Sequence, residues 1–250
     1  MEQVKPLLYP NAVRDKVRVS AKSNINRCIY DIKCKFAENN LEKPSEVRKK
    51  NLKKFSRSCF GTLYKKMSNI VLCGGLVHNL LIRQVESMSE QVMEFNFNGK
   101  GAIFTIKEFG IITGLRINNA LDAPPPPPIS FRLLDTYFEG RRRIKNSELR
   151  DKFLQLDIDD CEKSYDLVRL GLLYILECAL LGKESQSTID MEHFSMVEDL
   201  DYFNQYPWGL ESYKLTISTL HKVLKLHNGR LNASNSYSLG GFPTAFQVIS

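Results

Sequence analysis

The longest apolar stretch of this sequence constrains its fold more than any other feature. It runs from Leu170 to Leu181, about 12 residues, and only Glu177 brings a charge into it. A helix that crosses a membrane needs about 20 apolar residues, so this stretch is too short to span a bilayer. A helix that is apolar almost all round has to be covered by other elements. We therefore expect a central buried helix and a mainly α fold around it.

The charged residues are distributed unevenly along the chain. The 250 residues contain 35 Lys and Arg against 28 Asp and Glu, a net charge of +7. Residues 1–66 hold 17 basic and 6 acidic side chains, whereas residues 151–206 hold 4 and 13. An apolar share of 43% and a charged share of 25% exclude collagen-like, coiled-coil and wholly disordered chains. The pattern predicts a basic lead-in attached to a near-neutral domain.

The first residues and the cysteines indicate an intracellular protein. Residues 1–20 lack the apolar run of a signal peptide. The six cysteines form no C-x-x-C pair, the spacing with which many zinc sites begin. We therefore expect buried, reduced thiols. We also expect no metal, no cofactor, no small-molecule ligand and no membrane partner.

The clearest β signal lies at about residues 95–106. Phe95 and Phe97 alternate with asparagines and are followed by Asn98-Gly99, a strong hairpin signature when it stands between alternating apolar residues. An isolated hairpin is marginally stable in water, so this one has to pack on helices. The sequence therefore predicts a mainly α domain with one small antiparallel β-hairpin.

A short helix is expected directly after the hairpin. Thr105 and Glu108 have the spacing of a capping box. In this motif the Thr side chain accepts a hydrogen bond from the backbone N–H of the Glu, and the Glu carboxylate accepts one from the backbone N–H of the Thr. The helix continues through Phe109 and stops at Gly114, with Leu115 as the apolar residue that follows a glycine helix end. We expect these residues to be structural, with a left-handed backbone at Gly114.

Five consecutive prolines, Pro124–Pro128, interrupt the chain. Such a run is extended and fits neither a helix nor a sheet, so we expect a surface spacer. We interpret residues 118–130 as an insertion in a single helical domain of residues 46–250, preceded by a basic lead-in of residues 1–45 with one helix. The sequence stops within an apolar segment, from which we expect a truncated product without a further C-terminal domain.

Two basic clusters are candidate contacts for nucleic acid or for a nuclear-import receptor. One lies on a predicted helix and the other in a loop, and their members are Arg48, Lys49, Lys50, Lys53 and Lys54, and Arg141, Arg142 and Arg143. Each Lys or Arg that contacts a phosphate adds a salt-sensitive increment of affinity. The alternative is a solvated face that pairs with the acidic segment of the same chain. The sequence leaves these interpretations open.

Several ordered motifs give the chain a resemblance to a known family. The best marker is F-x-x-x-E-F-x-x-x-T-G-L, from Phe104 to Leu115. The helix LVHNLLIRQV precedes it, and Tyr137-Phe138, LLYILECALLG, VEDLDYFNQYPWG (which ends in Pro207, Trp208 and Gly209) and GGFPTAFQV follow it. Over about residues 50–250 the chain resembles the plant domain of unknown function that precedes SUMO-specific (ubiquitin-like-protein) cysteine-protease domains in Mutator-like transposon-derived proteins. A more distant likeness is to the plant mobile domain.

The resemblance implies a non-catalytic interaction or scaffold domain with an unidentified protein partner in a nuclear protein. The family's domain has no assigned reaction, and the protease His, Asp and Cys belong to a separate domain, so no catalytic residue is expected on this chain. A structural role is expected for the marker motif and for Pro207, Trp208 and Gly209. The alternatives are a nucleic-acid-binding module that uses the basic N-terminal region, and the N-terminal part of a SUMO-specific cysteine protease.

Overall fold

The computed structural model describes residues 5–12, 17–37, 46–67, 70–118, 125–157, 165–226 and 236–249. The α-helices are α1 (Ile25–Ala37), α2 (Glu46–Ser56), α3 (Gly61–Lys66), α4 (Gly74–Leu81), α5 (Ile106–Thr113), α6 (Arg132–Tyr137), α7 (Asn146–Gln155), α8 (Asp166–Ile175), α9 (Met191–Met196), α10 (Leu200–Gln205), α11 (Trp208–Leu226) and α12 (Pro243–Phe246). The strands are β1 (Arg18–Ala21), β2 (Gln84–Val85), β3 (Met93–Phe97), β4 (Lys100–Phe104) and β5 (Ser236–Leu239). The mainly α fold class is therefore confirmed.

The chain forms two compact units, each built from separate segments. Unit 1 consists of Met1–Ser23, Ile70–Ile117 and Trp208–Ser250, and unit 2 consists of Asn24–Asn69 and Asn118–Pro207. The expected helix of the lead-in is α1. The division into residues 1–45 and 46–250 stays a prediction.

Unit 1 contains the predicted hairpin within a larger set of strands. β3 and β4 pair in antiparallel register from Met93 opposite Phe104 to Phe97 opposite Lys100, which confirms the hairpin. β2 adds a third antiparallel strand, so the upstream helix α4 ends at Leu81 and does not continue to the end of its sequence motif. β1 and β5 form a separate parallel pair, and β1 was expected to be part of an irregular lead-in. The β1–β5 pair depends on a partner distant in sequence, with Arg18 opposite Ser236, whereas β2 pairs with nearby β3, with Val85 opposite Glu94.

Aromatic rings fill the core of unit 1. Phe104 of β4 lies between Phe109 of α5, Tyr213 of α11 and Phe246 of α12, with ring centroids 6.5, 5.7 and 5.3 Å away. These contacts join the hairpin to three helices, which is the helical support that the hairpin needs to be stable.

Unit 2 is built around the predicted buried helix. Leu167, Leu170 and Leu173 of α8 are fully buried, as expected. The last part of the apolar stretch differs from the prediction, because Leu176–Leu180 form a π-helical turn. Within this turn Glu177 is fully buried, and its carboxylate bonds Lys183 at 2.7 Å and the ring of His193. The charge that interrupts the stretch is therefore paired inside the protein.

The cysteines differ in their exposure. Cys28 is buried in α1, as expected, but Cys34 and Cys73 are exposed and Cys59 and Cys178 are half-buried. Cys161 lies outside the described residues. The expectation of buried thiols is therefore wrong for the two exposed cysteines, which occupy the solvent side of their segments.

Candidate protein-interaction groove

Two helix boundaries that the sequence motifs predicted, the end of α5 and the start of α11, meet in unit 1. Gly114 ends α5 with a φ of 70°, the left-handed conformation that a residue with a Cβ rarely adopts. The chain then passes through Leu115 to Arg116, whose carbonyl accepts a hydrogen bond of 2.9 Å from the Gly209 N–H. A Cβ on Gly209 would lie 2.5 Å from that carbonyl oxygen, so only glycine fits. Buried Trp208 begins α11 at this contact, after Pro207.

The predicted capping box is present at the start of α5. The Thr105 side chain accepts from the Lys107 N–H at 3.1 Å, and the Thr105 N–H donates to the Glu108 carboxylate at 2.8 Å. Burial by itself would raise the pKa of Glu108, but the hydrogen bonds from Thr105 outweigh it and lower that pKa. Phe109 is fully buried one residue later. These residues build the fold of unit 1.

The basic cluster on α2 is divided between the two faces of the helix. Arg48 is buried and pairs with Asp157 at 3.4 Å, so it belongs to the inner face. Lys49, Lys50 and Lys53 are exposed. Lys54 is half-buried, with its ammonium 5.7 Å from the centre of the Tyr165 ring. Three of the five predicted contacts therefore face solvent.

The loop cluster is exposed but engaged with acidic neighbours. Arg141 pairs with Glu148 at 2.5 Å, and Arg142 pairs with Asp135 at 2.8 Å. The Arg142 guanidinium also lies 4.4 Å from the centre of the Phe131 ring. Arg143 is exposed. This arrangement matches the interpretation in which part of the basic charge pairs with acidic groups of the same chain.

The described part of the proline run lies along the surface of unit 2. Residues 119–124, including Pro124, lie outside the described residues. The segment that follows is attached to α9 through Ser195, whose hydroxyl accepts from the Ser130 N–H at 2.9 Å and lies 3.5 Å from the Pro128 carbonyl oxygen. We call residues 125–130 the proline ridge.

A groove of about 490 Å3 lies on one side of the proline ridge. Apolar and aromatic side chains dominate its lining. The lining residues are Pro126, Pro127, Ile129, Phe131, Met191, Glu192, Ser195, Met196, Tyr202 and Tyr206. Ile129 is 79% exposed, whereas Met196 and Tyr202 are buried at the groove floor. The rings of Tyr202 and Tyr206 lie 6.1 Å apart and are tilted by 48°. We call this cavity the proline groove.

A buried ion-pair network lies behind the proline ridge. Arg132, at the start of α6, binds both oxygens of fully buried Asp166 at 2.8 and 2.6 Å. The same guanidinium binds Glu198 at 2.9 Å, and the other Glu198 oxygen accepts from the Leu133 N–H at 3.1 Å. Tyr137 donates to Asp166 at 2.8 Å. The network fixes the first turn of α6 against α8 and the start of α10.

Arg169 completes this network from the next turn of α8. Its guanidinium donates to Asp166 at 3.1 Å and to the Glu198 backbone carbonyl. Burial alone would raise the pKa of Asp166, but hydrogen bonds from Arg132 and Tyr137 and the charges of both arginines outweigh it, so that pKa is lowered. The hydrogen bond to Asp166 raises the pKa of Arg132. Asp166 and Arg132 are therefore both ionised at neutral pH.

The chain matches a known protein family. A domain of unknown function, DUF1985, matches residues 81–219, more than half of the chain. The chain belongs to the DUF1985 family. No curated protein and no solved structure matches it. The resemblance to a domain of unknown function that the sequence suggested is therefore confirmed.

The DUF1985 match separates the two candidate surfaces. Every residue that lines the proline groove lies between positions 126 and 206, inside the matched range. Helix α2, at Glu46–Ser56, lies outside it. The proline groove therefore lies within the residues that match DUF1985, whereas the basic helix α2 lies outside them, although both belong to unit 2.

The sequence did not reveal the groove or its supporting network. Arg132, Asp166 and Glu198 lie about 30 residues apart along the chain, and each resembles an ordinary surface residue in sequence. The sequence signal for this network was the position of Asp166. It is the first residue of the apolar helix, where a carboxylate that becomes buried requires a charged or hydrogen-bonding partner. The sequence did predict the proline run, although as a spacer and not as one wall of a groove.

The described residues contain neither a cluster of metal-binding side chains nor a helix that could span a membrane. Among the described residues, no three His, Cys, Asp or Glu side chains converge as a metal site would require. Within the same part of the chain, no helix combines the length and the apolar character that are needed to cross a bilayer.

Proposed function

We propose that the chain is a non-catalytic protein-interaction module that binds a polypeptide segment in the proline groove. The observation that carries the proposal is the composition of the groove. Tyrosine, methionine and phenylalanine are enriched at the centres of protein interfaces. The same residue types line the groove, as Phe131, Met191, Tyr202 and Tyr206.

The support beneath the groove favours binding. The network around Asp166 fixes the helix that follows the proline ridge, and Ser195 attaches the ridge to α9. A groove whose walls are already ordered loses less conformational entropy when a partner binds. Prolines add to this effect, because their φ angles are fixed before binding.

A displayed library of random peptides, selected against the full chain, tests this proposal. We expect enriched peptides that carry apolar or aromatic anchors. The double variant Ile129→Ser with Met191→Ser removes two anchor contacts from the groove, so it should weaken the enriched peptides by about tenfold or more, the effect of losing more than 1 kcal/mol at an interface. Ile111→Ser is the matched control, because Ile111 is 83% exposed on α5 of unit 1.

The proposal fails if no peptide is enriched, or if the control variant weakens binding as much as the groove variant does. Thermal unfolding of both variants checks that folding is intact. Ile111 and Ile129 are exposed, where substitutions usually change stability by less than about 0.5 kcal/mol, so Ile111→Ser should retain the parental melting temperature. Met191 is half-buried, so the groove variant should lose slightly more stability and still unfold in one cooperative transition.

A second candidate function is the binding of nucleic acid by α2 and α3. The specific observation is that residues 46–66 carry eight basic side chains and a single acidic one, Glu46. Lys49, Lys50 and Lys53 face solvent on one helix. Such a surface attracts phosphates with an affinity that falls as salt rises.

The two basic clusters provide the test of this candidate. In retention on duplex and single-stranded DNA at two salt concentrations, Lys50→Glu with Lys53→Glu should weaken binding more than Arg141→Glu with Arg142→Glu. The reason is that both loop arginines already pair with carboxylates. Absent retention at low salt, or retention that does not change with salt, would reject nucleic-acid binding.

The family resemblance adds a context to the first proposal. We infer that the parent protein is a nuclear, transposon-derived plant protein related to SUMO-specific proteases, and that this chain has no protease activity of its own. A SUMO-linked fluorogenic substrate should show no turnover, and a fluorescent fusion should accumulate in the nucleus. Turnover that an alkylating agent abolishes would instead favour the protease alternative.

A further inference from the structure

The surface around the proline groove is strongly acidic. Residues 190–206, which form two of its walls, contain five acidic side chains and no Lys or Arg. Asp190, Glu192, Asp199 and Asp201 are exposed, and Glu192 lines the groove itself. No Lys or Arg is among the groove's lining residues in the described part of the chain. Arg142 lies over the ring of Phe131 but pairs with Asp135, so a partner of the groove meets exposed negative charge on the side formed by α9 and α10.

A second recess, on the other side of the proline ridge, extends this acidic surface. It encloses about 550 Å3 and shares Pro127 with the groove. Its charged residues are Lys54, Arg169, Glu198, Asp199 and Asp201. Three of these charges have partners within the protein. Arg169 Nε lies 3.7 Å from Glu198 Oε2 in the buried network, and the Lys54 ammonium lies over the Tyr165 ring. Asp199 and Asp201 are also exposed at the recess; Asp199 caps α10 by accepting from the Asp201 and Tyr202 N–H groups, and Asp201 is the carboxylate that a ligand meets there.

The proline ridge reinforces this preference through its hydrogen-bonding groups. A proline has a carbonyl acceptor but no N–H donor. Pro126 and Pro127 therefore offer a ligand acceptors and no donors, whereas the Pro128 carbonyl already lies against the Ser195 hydroxyl. Lysine and arginine side chains are donors without acceptors, so their chemistry matches both the ridge and the carboxylates beside it.

We propose that the segment bound in the proline groove carries apolar anchors flanked by lysine or arginine. This inference rests on the proposed function and adds the chemical class of the partner. The apolar anchors contact Met191, Tyr202 and Tyr206, and one basic flank lies against Glu192 in the groove, while the other extends past Tyr202 to Asp201 in the adjoining recess. The same carboxylates repel nucleic-acid phosphates and anionic lipids, which excludes these as ligands of the groove.

Two pools of short fluorescent peptides test the inference. Both pools share the same randomised apolar and aromatic core, and they differ only in flanks of lysine or of glutamate. We expect the lysine-flanked pool to bind the full chain at least tenfold more tightly in low salt. We also expect this preference to decrease as salt screens the exposed charges.

Charge reversal locates the basic flanks. Glu192→Lys with Asp201→Lys should weaken the lysine-flanked pool by about tenfold, because two attractions become repulsions, each worth a few-fold in affinity at exposed positions. The matched control is Glu86→Lys, an exposed carboxylate in unit 1. All three positions are exposed, but Glu192 and Asp201 lie in the first turns of α9 and α10, so the double variant should unfold at a slightly lower temperature than the parent and stay folded in the binding assay.

The outcomes separate this inference from the function on which it rests. Binding of both pools with equal affinity, or a preference for glutamate flanks, overturns the inference and leaves peptide binding standing. Binding of neither pool overturns both. Salt-sensitive self-association of the chain, which the peptides do not displace, would show that a second copy occupies the groove and would also overturn the inference.

Discussion

The two units are stabilised by different kinds of contacts. Unit 1 is held by aromatic rings around Phe104 and by backbone devices such as the capping box and the left-handed turn at Gly114. Unit 2 also has an aromatic core, but it adds buried charges: Asp166 with two arginines, and Glu177 with Lys183 and His193.

The two units should therefore be sensitive to different kinds of substitution. An apolar core loses stability gradually as its contacts are trimmed, whereas a buried ion pair that loses one partner leaves an unpaired charge in a dry environment. Unit 2 should therefore depend strongly on single polar residues. Unit 1 should depend on backbone conformation and ring packing.

The largest expected effect is the removal of Asp166 from unit 2. Asp166→Ala leaves Arg132 and Arg169 without their shared carboxylate and should cost about 3–5 kcal/mol, as expected when one partner of a buried pair is removed. The measurement is the free energy of unfolding in urea, followed by circular dichroism. Asp135→Ala is the control, because Asp135 forms only an exposed pair with Arg142 and should cost at most about 1 kcal/mol. Equal losses in the two variants would remove the contrast between the units.

The next effect concerns the backbone of unit 1. Gly114→Val places a branched side chain at a φ of 70° and should destabilise the protein by about 1–3 kcal/mol. The only tryptophan, Trp208, is 1% exposed in unit 1, so its fluorescence reports this change. Gly75→Ala is the control, because a Cβ there meets no atom within 4 Å and alanine favours the helix by about 0.5–1 kcal/mol. An unchanged unfolding midpoint for Gly114→Val would contradict the prediction.

Acid should weaken unit 2 through Asp166. The folded-state pKa of Asp166 is lowered below the unfolded value of about 3.9. Its ionisation therefore stabilises the fold above that pH, and this contribution is lost as the pH falls through the lowered value. The range from pH 5 to pH 3 extends roughly one unit to either side of the unfolded pKa. Over this range we expect Asp166→Asn to lose less unfolding free energy than the parent does. An identical acid sensitivity of parent and variant would argue against an ionised Asp166.

The smallest expected effect is at the capping box of unit 1. Thr105→Ala removes the side chain that accepts from the Lys107 N–H and should cost about 1 kcal/mol. Thr105→Ser keeps an acceptor at the same place and should restore most of the stability. Urea unfolding followed by Trp208 fluorescence measures both. A serine variant as unstable as the alanine variant would show that the hydrogen bond is not the cause.

Local chemistry explains what the sequence predicted correctly. The hairpin at Asn98-Gly99, the capping box at Thr105 and the glycine end of α5 each depend on a few adjacent residues, and all three are present. The buried helix followed from the apolar stretch alone. These features are the ones whose physical cause lies within a short window of the chain.

The remainder depends on residues that are distant in sequence. β1 pairs with β5, and each strand has only four residues, too few to show a recognisable β pattern in the sequence. Their strand conformation follows from the pairing itself. The proline groove needs the ridge, α9 and α10 together, and its supporting network joins Arg132 to Asp166 and Glu198. The π-turn at Glu177 likewise depends on Lys183 and His193. A single sequence contains these residues but not their pairing.

The parallel pairing of β1 with β5 has a consequence for synthesis. The Ser20 hydroxyl donates to the Tyr237 carbonyl, and these residues are 217 positions apart along the chain. At about 5–20 residues per second, a ribosome needs roughly 10–40 s to make the intervening chain. All of unit 2 is made during that interval, whereas β1 has no partner until β5 emerges. The nascent chain therefore exposes the backbone edge of β1 for tens of seconds, the kind of surface that chaperones engage.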